Sequence, residues 1–136
     1  MKKRRQARVE TLNALFMMDV GGASVEDAMV RVAEEANDPA VLNFVQAMCR
    51  GVLEYQSQID RLIEQKAVNW KLDRLSRVDR CLLRLGIYEL LHCPETPPAV
   101  VINEAVELAK VYGDEKSGAF VNGLLDSVKS SEVTSS

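Results

Sequence analysis

Hydrophobic residues recur at helical spacing along almost the whole chain, and strand-like alternation is nearly absent. On the first segment, from Arg4 to Asp19, one stripe is formed by Ala7, Thr11, Leu15 and Met18. Similar stripes, separated by glycine, proline and capping residues, predict seven helices over residues 4–19, 24–36, 39–55, 57–66, 76–92, 100–112 and 117–129. The pattern therefore predicts an all-α fold.

Polar residues mark the start of several predicted helices. An N-cap side chain accepts a hydrogen bond from a backbone N–H group that the helix itself cannot satisfy. The sequence offers such caps at Ser24 with Asp27, at Asp38 before Pro39, and at Ser76 with Asp79. These starts support the helix boundaries independently of hydrophobicity.

The length and composition are those of an ordinary globular domain. The chain has 136 residues, of which 47% are hydrophobic and 27% charged, which excludes a disordered chain or a collagen-like fibre. We expect one domain over residues 1–129 and a disordered polar tail over residues 130–136. The basic start lacks the apolar run of a secretory signal, and no uncharged run is long enough to cross a bilayer. We therefore expect a cytoplasmic protein with no membrane partner.

Charge is distributed unevenly along the chain. Residues 1–8 carry five basic side chains and no acid, whereas the rest carries 12 basic and 20 acidic side chains. A local basic arm on an acidic protein favours a local anionic partner, such as a short nucleic-acid strand. The alternative is a solvated terminus that serves only solubility.

The sequence lacks the usual patterns of catalysis and metal binding. The single histidine, His92, cannot complete a zinc site with three widely spaced cysteines, Cys49, Cys81 and Cys93. There is no glycine-rich phosphate loop and no assignable Ser–His–acid triad. We expect a binding protein without cofactor or metal, and not an enzyme.

Three segments are more specific than helical patterning requires. The first joins RRQAR at Arg4–Arg8 to ALF at Ala14–Phe16, and the second is LSRVDRCLLRLGIYEL at Leu75–Leu90. The third joins VINEAVELAK at Val101–Lys110 to FVNGLLD at Phe120–Asp126. In this order and spacing the segments resemble the NusB family of transcription antitermination factors, from Arg4 to about Val128.

This resemblance implies both a fold and a function. The family fold has seven helices in two packed, roughly perpendicular helical bundles. Family members bind single-stranded boxA RNA of ribosomal RNA leaders together with NusE, which is also a protein of the small ribosomal subunit. The pair joins other Nus factors on RNA polymerase and supports processive elongation. Whether the free protein forms a homodimer stays open.

The resemblance also implies which residues make these contacts. It places RNA on Arg4, Arg5, Arg8, Lys116 and Phe120. It places NusE on Phe16, Arg77, Asp79 and Arg80.

Residue chemistry supports RNA contact independently of the resemblance. Arg5 and Phe16 are eleven positions apart, so they fall about 20° apart around a helix. Single-stranded RNA is held by cations on its phosphates and by flat side chains against its bases. An arginine cluster in a first helical turn opposes the helix dipole, which indicates a role outside folding.

Structural roles compete with each of these assignments. Phe16 is as readily a core residue as a surface residue. Phe120 also starts a core-like stripe with Leu124 and Val128, and Asp79 can simply complete a capping box with Ser76. For the whole protein, the alternative function is a helical adaptor that binds only protein and whose basic arm is incidental.

Overall fold

Seven α-helices make up most of the chain in the computed structural model, which describes residues 2–67 and 72–133. No strand occurs within those two ranges. The helices are α1 (Lys2–Gly21), α2 (Val25–Glu35), α3 (Pro39–Glu54), α4 (Gln56–Lys66), α5 (Arg77–His92), α6 (Pro98–Tyr112) and α7 (Ser117–Glu132). A short 3-10 turn, Leu72–Arg74, lies between α4 and α5. The predicted all-α fold with seven helices is confirmed.

Several helix ends differ from the prediction. Helix α1 spans Lys2–Gly21 and so extends two residues beyond the predicted range at each end. Helix α6 begins at Pro98 and not at residue 100, because proline suits the first helical position, where no N–H donor is needed. Helix α7 continues to Glu132, three residues beyond the predicted end. The Val133 N–H donates to the Lys129 carbonyl oxygen at 3.1 Å, so small polar residues alone do not end this helix. Residues 134–136 of the predicted tail lie outside the described residues.

The helices group into two compact units, α1–α3 and α4–α7. In the first unit, each of the three helices packs against the other two. The predicted stripe on α1 is buried at Ala7, Thr11 and Leu15. The Thr11 hydroxyl donates to the Ala7 carbonyl oxygen at 2.7 Å, which satisfies the polar group inside this apolar face.

Caps predicted from the sequence begin α2 and α3. The Asp27 N–H donates to Ser24 Oγ at 3.0 Å, and the Ser24 N–H donates back to the Asp27 carboxylate at 3.4 Å. At α3, Asp38 Oδ1 accepts from the Ala40 N–H at 2.9 Å. The capping box and the Asp38 cap are confirmed.

In the second unit, α5 is the central helix and packs against α4, α6 and α7. It is buried on nearly all sides from Cys81 to Ile87, as expected for a helix surrounded by others. Gly86 allows α7 to approach, because an added Cβ would lie 2.9 Å from a methyl group of Leu125. This packing fixes the starts of α5 and α7, where the candidate site lies.

Candidate nucleic-acid interface

The basic arm, which comprises Lys3, Arg4, Arg5 and Arg8, forms the start of α1 and is tied to α3. Lys3 Nζ lies 3.0 Å from Asp38 Oδ2. The hydrogen bond from Lys3 is the main cause that lowers the pKa of Asp38 below its ordinary value, and the Ala40 N–H lowers it further. The arm therefore has a defined position at the N-terminus of α3.

The Phe44 ring on α3 holds two arginines of the arm. The guanidinium carbons of Arg4 and Arg8 lie 4.6 Å and 5.7 Å from the ring centre, within cation–π range. Arg4 and Arg5 are exposed, as expected for phosphate contacts. Arg8 differs from the expectation, because only 3% of it is exposed.

Helix geometry explains why Arg8 is buried. It lies four and seven positions before Leu12 and Leu15, which puts it on the same helix face as these buried residues. Its guanidinium therefore lies toward Phe44 and not toward solvent. Arg8 is better described as a residue that fixes the arm than as a phosphate contact.

Phe16 lies on the surface of α1, which resolves the question left open by the sequence. Phe16 is 38% exposed, and Val20, one turn later, is 48% exposed. Residues four positions apart on a helix are neighbours on its surface. Together they form an exposed apolar strip, which suits contact with a protein.

A groove of about 490 Å³ lies on the second unit, between the segment before α5 and the start of α7. Its volume falls in the range of about 300–1,000 Å³ that is typical of ligand sites. The groove combines aromatic, cationic and acidic side chains, and it is lined by Arg74, Leu75, Ser76, Asp79, Asp114, Lys116 and Phe120. It therefore joins two predicted RNA residues to a predicted partner residue.

The loop before α7 positions Lys116. Asp114 Oδ1 accepts from the Lys116 N–H at 2.8 Å and from the Ser117 hydroxyl at 3.3 Å. Gly113 makes this tight loop possible, because an added Cβ would collide with the Ser117 side chain and the Ala109 carbonyl oxygen. Lys116 is the N-cap residue of α7, and its side chain is exposed beside the groove.

Phe120 is half-buried at the edge of the groove. Leu124 and Val128, the other members of its stripe, are buried. The predicted core stripe therefore exists, but its first residue emerges from the core. Phe120 can pack against the core on one side and offer part of its ring to a ligand.

Asp79 lies within the first turn of α5 and lines the same groove. The Asp79 N–H donates to Ser76 Oγ at 3.1 Å, which confirms the cap. Only 9% of Asp79 is exposed, and its Oδ1 is buried without accepting a hydrogen bond from any described residue. The cap thus uses the backbone of Asp79 and leaves this carboxylate oxygen unused.

The two arginines beside Asp79 differ in exposure. Arg77 is exposed. Arg80 is half-buried, and its Nη1 donates to the Leu72 carbonyl oxygen at 3.3 Å. Of the predicted partner residues on α5, Arg77 presents the most accessible side chain.

The predicted site residues divide between the two units. Arg4, Arg5, Arg8 and Phe16 belong to the first unit, and the groove belongs to the second. Sequence reasoning missed Arg74 and Asp114 as groove residues. Only the packing of α7 against α5 brings these distant parts of the chain together, and no sequence motif marks that contact.

The single histidine is part of an aromatic cluster. The His92 ring stacks on Tyr55 with 3.8 Å between centres, and Tyr88 lies 5.4 Å away.

Residues 2–67 and 72–133 contain no group of three or more His, Cys, Asp or Glu placed to hold a metal ion. Across the same residues, no helix is both long enough and apolar enough to cross a membrane.

Comparison with known proteins covers nearly the whole chain. The model of the NusB family matches residues 5–130. The transcription antitermination protein NusB of Bacillus subtilis strain 168 is 46% identical over 129 residues, which cover 94% of this chain and 95% of that protein.

Solved structures match to a similar extent. T. maritima NusB superposes with a TM-score of 0.89 at 39% identity, covering 96% of this chain and 93% of that one. A crystal structure of the antitermination factors NusB and NusE in complex with dsRNA contains a chain that matches with a TM-score of 0.86 at 31% identity. That match covers 96% of this chain and 98% of that one.

Proposed function

Because this chain belongs to the NusB family, we propose that it is a transcription antitermination factor. It binds single-stranded boxA RNA of ribosomal RNA leaders together with NusE. With other Nus factors it supports processive elongation by RNA polymerase, in the cytoplasm. The role is one of binding and assembly, without catalysis.

The observation that carries the RNA part of this proposal is the groove that holds Lys116 and Phe120. Proteins that bind single strands combine cations for the backbone with aromatic rings on which bases stack. Lys116 supplies an exposed cation and Phe120 a half-exposed ring at the start of one helix. The same two positions are those that the family resemblance assigns to RNA.

The arm adds a second group of cations. Arg4 and Arg5 are exposed in the first turns of α1, and Phe44 and Asp38 hold this segment in place. A positioned cation loses less conformational freedom on binding than a disordered one. We assign phosphate contacts to Arg4 and Arg5, and a positioning role to Arg8.

The NusE surface is proposed on residues that are accessible. Phe16, with Val20 beside it, offers an exposed apolar strip, and aromatic residues are enriched where proteins meet. Arg77 offers an exposed cation at the start of α5. Arg80 supports this segment through the Leu72 carbonyl, and Asp79 supports it through its N–H, which donates to Ser76 Oγ at the start of α5.

The same apolar strip favours a second candidate function, an adaptor that binds protein alone. Binding of labelled single-stranded boxA RNA at two salt concentrations separates the two. The antitermination factor binds RNA with an affinity that falls as salt rises. Its basic side chains displace cations from the RNA phosphates, and this release is less favourable when the salt concentration is high. The adaptor binds NusE but shows no RNA binding at either salt concentration.

A further inference from the structure

The unused carboxylate of Asp79 is the starting point of an inference that rests on the proposed function. Asp79 lines the groove and is only 9% exposed, and its Oδ1 accepts no hydrogen bond from the described residues. Buried polar atoms in folded proteins nearly always have a partner, and each exception calls for a reason. A ligand that brings an N–H donor into the groove would be the missing hydrogen-bond partner of Asp79.

We propose that this groove is a subsite for one unstacked guanine base of the bound RNA. The base stacks on the exposed part of the Phe120 ring. Its N1–H and N2–H groups donate to the Asp79 carboxylate, and its O6 accepts from the Ser76 hydroxyl. All three side chains line the groove.

The carboxylate selects guanine by its hydrogen-bonding character. An ionised carboxylate only accepts hydrogen bonds and has two oxygens side by side. On its Watson–Crick edge, guanine presents two neighbouring donors. Adenine and cytosine each place a ring-nitrogen acceptor beside their amine, and uracil flanks its N–H with two carbonyl oxygens. Only guanine matches both oxygens of Asp79.

Ser76 adds a second point of recognition. Its Oγ accepts the Asp79 N–H at 3.1 Å, and its hydroxyl hydrogen stays able to donate, because a hydroxyl is both donor and acceptor. The Ser76 hydroxyl donor lies beside the Asp79 carboxylate acceptor. Guanine carries the complementary pair, because its O6 acceptor lies beside its N1–H donor. A base with an amine at that position cannot accept it.

The charges around the groove favour a nucleotide over a basic side chain of a partner protein. Arg74 and Lys116 are exposed on its lining. A nucleotide brings both a phosphate, which these cations attract, and N–H donors for the Asp79 carboxylate, whereas a lysine or arginine would satisfy only the carboxylate.

Access to the carboxylate depends on the side chains at the surface of the groove. Asp79 Oδ1 lies below that surface. A base therefore reaches this oxygen only when side chains around the groove shift as it enters. The subsite therefore forms fully only with RNA bound.

The test uses short oligouridine RNAs of one length that differ only at the central nucleotide, which is guanosine, inosine, adenosine or uridine. Fluorescence anisotropy measures their affinity for the full chain, alone and with NusE added. We expect guanosine to bind roughly five- to a hundredfold tighter than uridine, the range for a good bidentate base contact. Inosine lacks the N2 amine and falls between them.

Two variants localise the effect. Asp79→Asn removes the guanosine preference, so that the guanosine and uridine RNAs bind the variant with equal affinity. Lys116→Ala is the matched control from the same groove, and it weakens all four RNAs by one common factor. Thermal melting by circular dichroism shows that each variant is folded.

The outcomes separate this inference from the proposed function. Equal affinity of the unaltered protein for all four RNAs overturns the guanine subsite and leaves RNA binding intact. A guanosine preference that survives Asp79→Asn, together with weakened NusE binding, assigns the carboxylate to a protein donor and also overturns it. If no RNA binds even with NusE present, the proposed function fails, and the subsite fails with it.

Discussion

Arg84 on α5 and Asp60 on α4 form a two-point ion pair inside the second unit. Arg84 Nε lies 2.8 Å from Asp60 Oδ1, and Arg84 Nη2 lies 3.0 Å from Oδ2. The side chains are only 9% and 18% exposed. The planar guanidinium matches the carboxylate with two parallel hydrogen bonds, which fixes the register of α4 on α5.

Removal of one partner of this pair should strongly destabilise the protein. Asp60→Ala removes the carboxylate that accepts two hydrogen bonds from the buried Arg84 guanidinium, so we expect a loss of about 3–5 kcal/mol in the free energy of unfolding. Urea denaturation followed by circular dichroism measures it.

The exposed pair between Arg50 and Glu26, with 2.7 Å between Nη2 and Oε2, provides the control. Glu26→Ala should cost about 0–1 kcal/mol, because water solvates both charges. Similar losses for the two variants would show that burial does not matter at Arg84.

The sequence predicts the helices well, because their signals are local. The stripe of Ala7, Thr11 and Leu15 and the cap at Ser24 each depend on residues within a few turns. The same reasoning applies to Arg8, whose spacing to Leu12 and Leu15 places it on the buried face. The resemblance assigns Arg8 to RNA, whereas its helical spacing places it on the buried face, and the structure agrees with the spacing.

Features made by packing could not be predicted from the sequence. The Arg84–Asp60 pair joins residues 24 positions apart, and the groove joins the segment around Asp79 to that around Phe120. Both depend on which helix faces meet. Hydrophobic periodicity shows that each helix has a buried face, but it does not show which other helix packs against that face. The exposure of Phe16 was open for the same reason.

The salt dependence of RNA binding should separate the exposed arginines from the buried one. Changing Arg4 and Arg5 to Ala removes two phosphate contacts, so the slope of log affinity against log salt should fall by about 1.4, or about 0.7 per contact. Stability should fall only slightly, by about 0.5–1 kcal/mol, because the contact of Arg4 with Phe44 is made by an exposed side chain.

Arg8→Ala is the matched variant within the same arm. Because Arg8 is buried against Phe44, this change should lower the melting temperature and alter the salt slope less. An unchanged slope in the Arg4 and Arg5 variant would assign the arm to solubility.

Phe120 should contribute more to RNA binding than to stability. Phe120→Ala removes a stacking surface, so we expect a loss of about 1–3 kcal/mol in RNA-binding free energy, measured by titration with single-stranded RNA. The half-buried ring should cost less stability than the ~3–5 kcal/mol of a fully buried phenylalanine.

Leu125→Ala, at a fully buried position of the same helix, is the control. It should lose about 2–5 kcal/mol of stability and keep RNA affinity while folded. A Phe120→Ala protein that melts far earlier but binds RNA normally would identify Phe120 as a core residue.

The cap at Asp38 should give part of the stability a dependence on acid pH. Lys3 and the Ala40 N–H hold the pKa of Asp38 below its ordinary value in the folded protein. The ionised carboxylate therefore stabilises the fold above the unfolded pKa, and this contribution is lost as the pH falls through the lowered, folded pKa.

Asp38→Asn keeps an N-cap but has no charge to titrate. The melting temperature of the unaltered protein should exceed that of the variant at neutral pH, and the two should converge in acid. A difference that stays constant down to low pH would show that the Lys3–Asp38 pair contributes nothing to stability.

The most direct test of the account is the coupling between RNA and NusE on this one protein. Isothermal titration gives the affinity for boxA RNA with and without NusE, and the affinity for NusE with and without RNA. Because coupling between two ligands is reciprocal, we predict that each ligand tightens the other by the same factor, well above one. A factor of one in both directions, or no RNA binding in either state, would contradict the assignment of this chain as an RNA-binding antitermination factor.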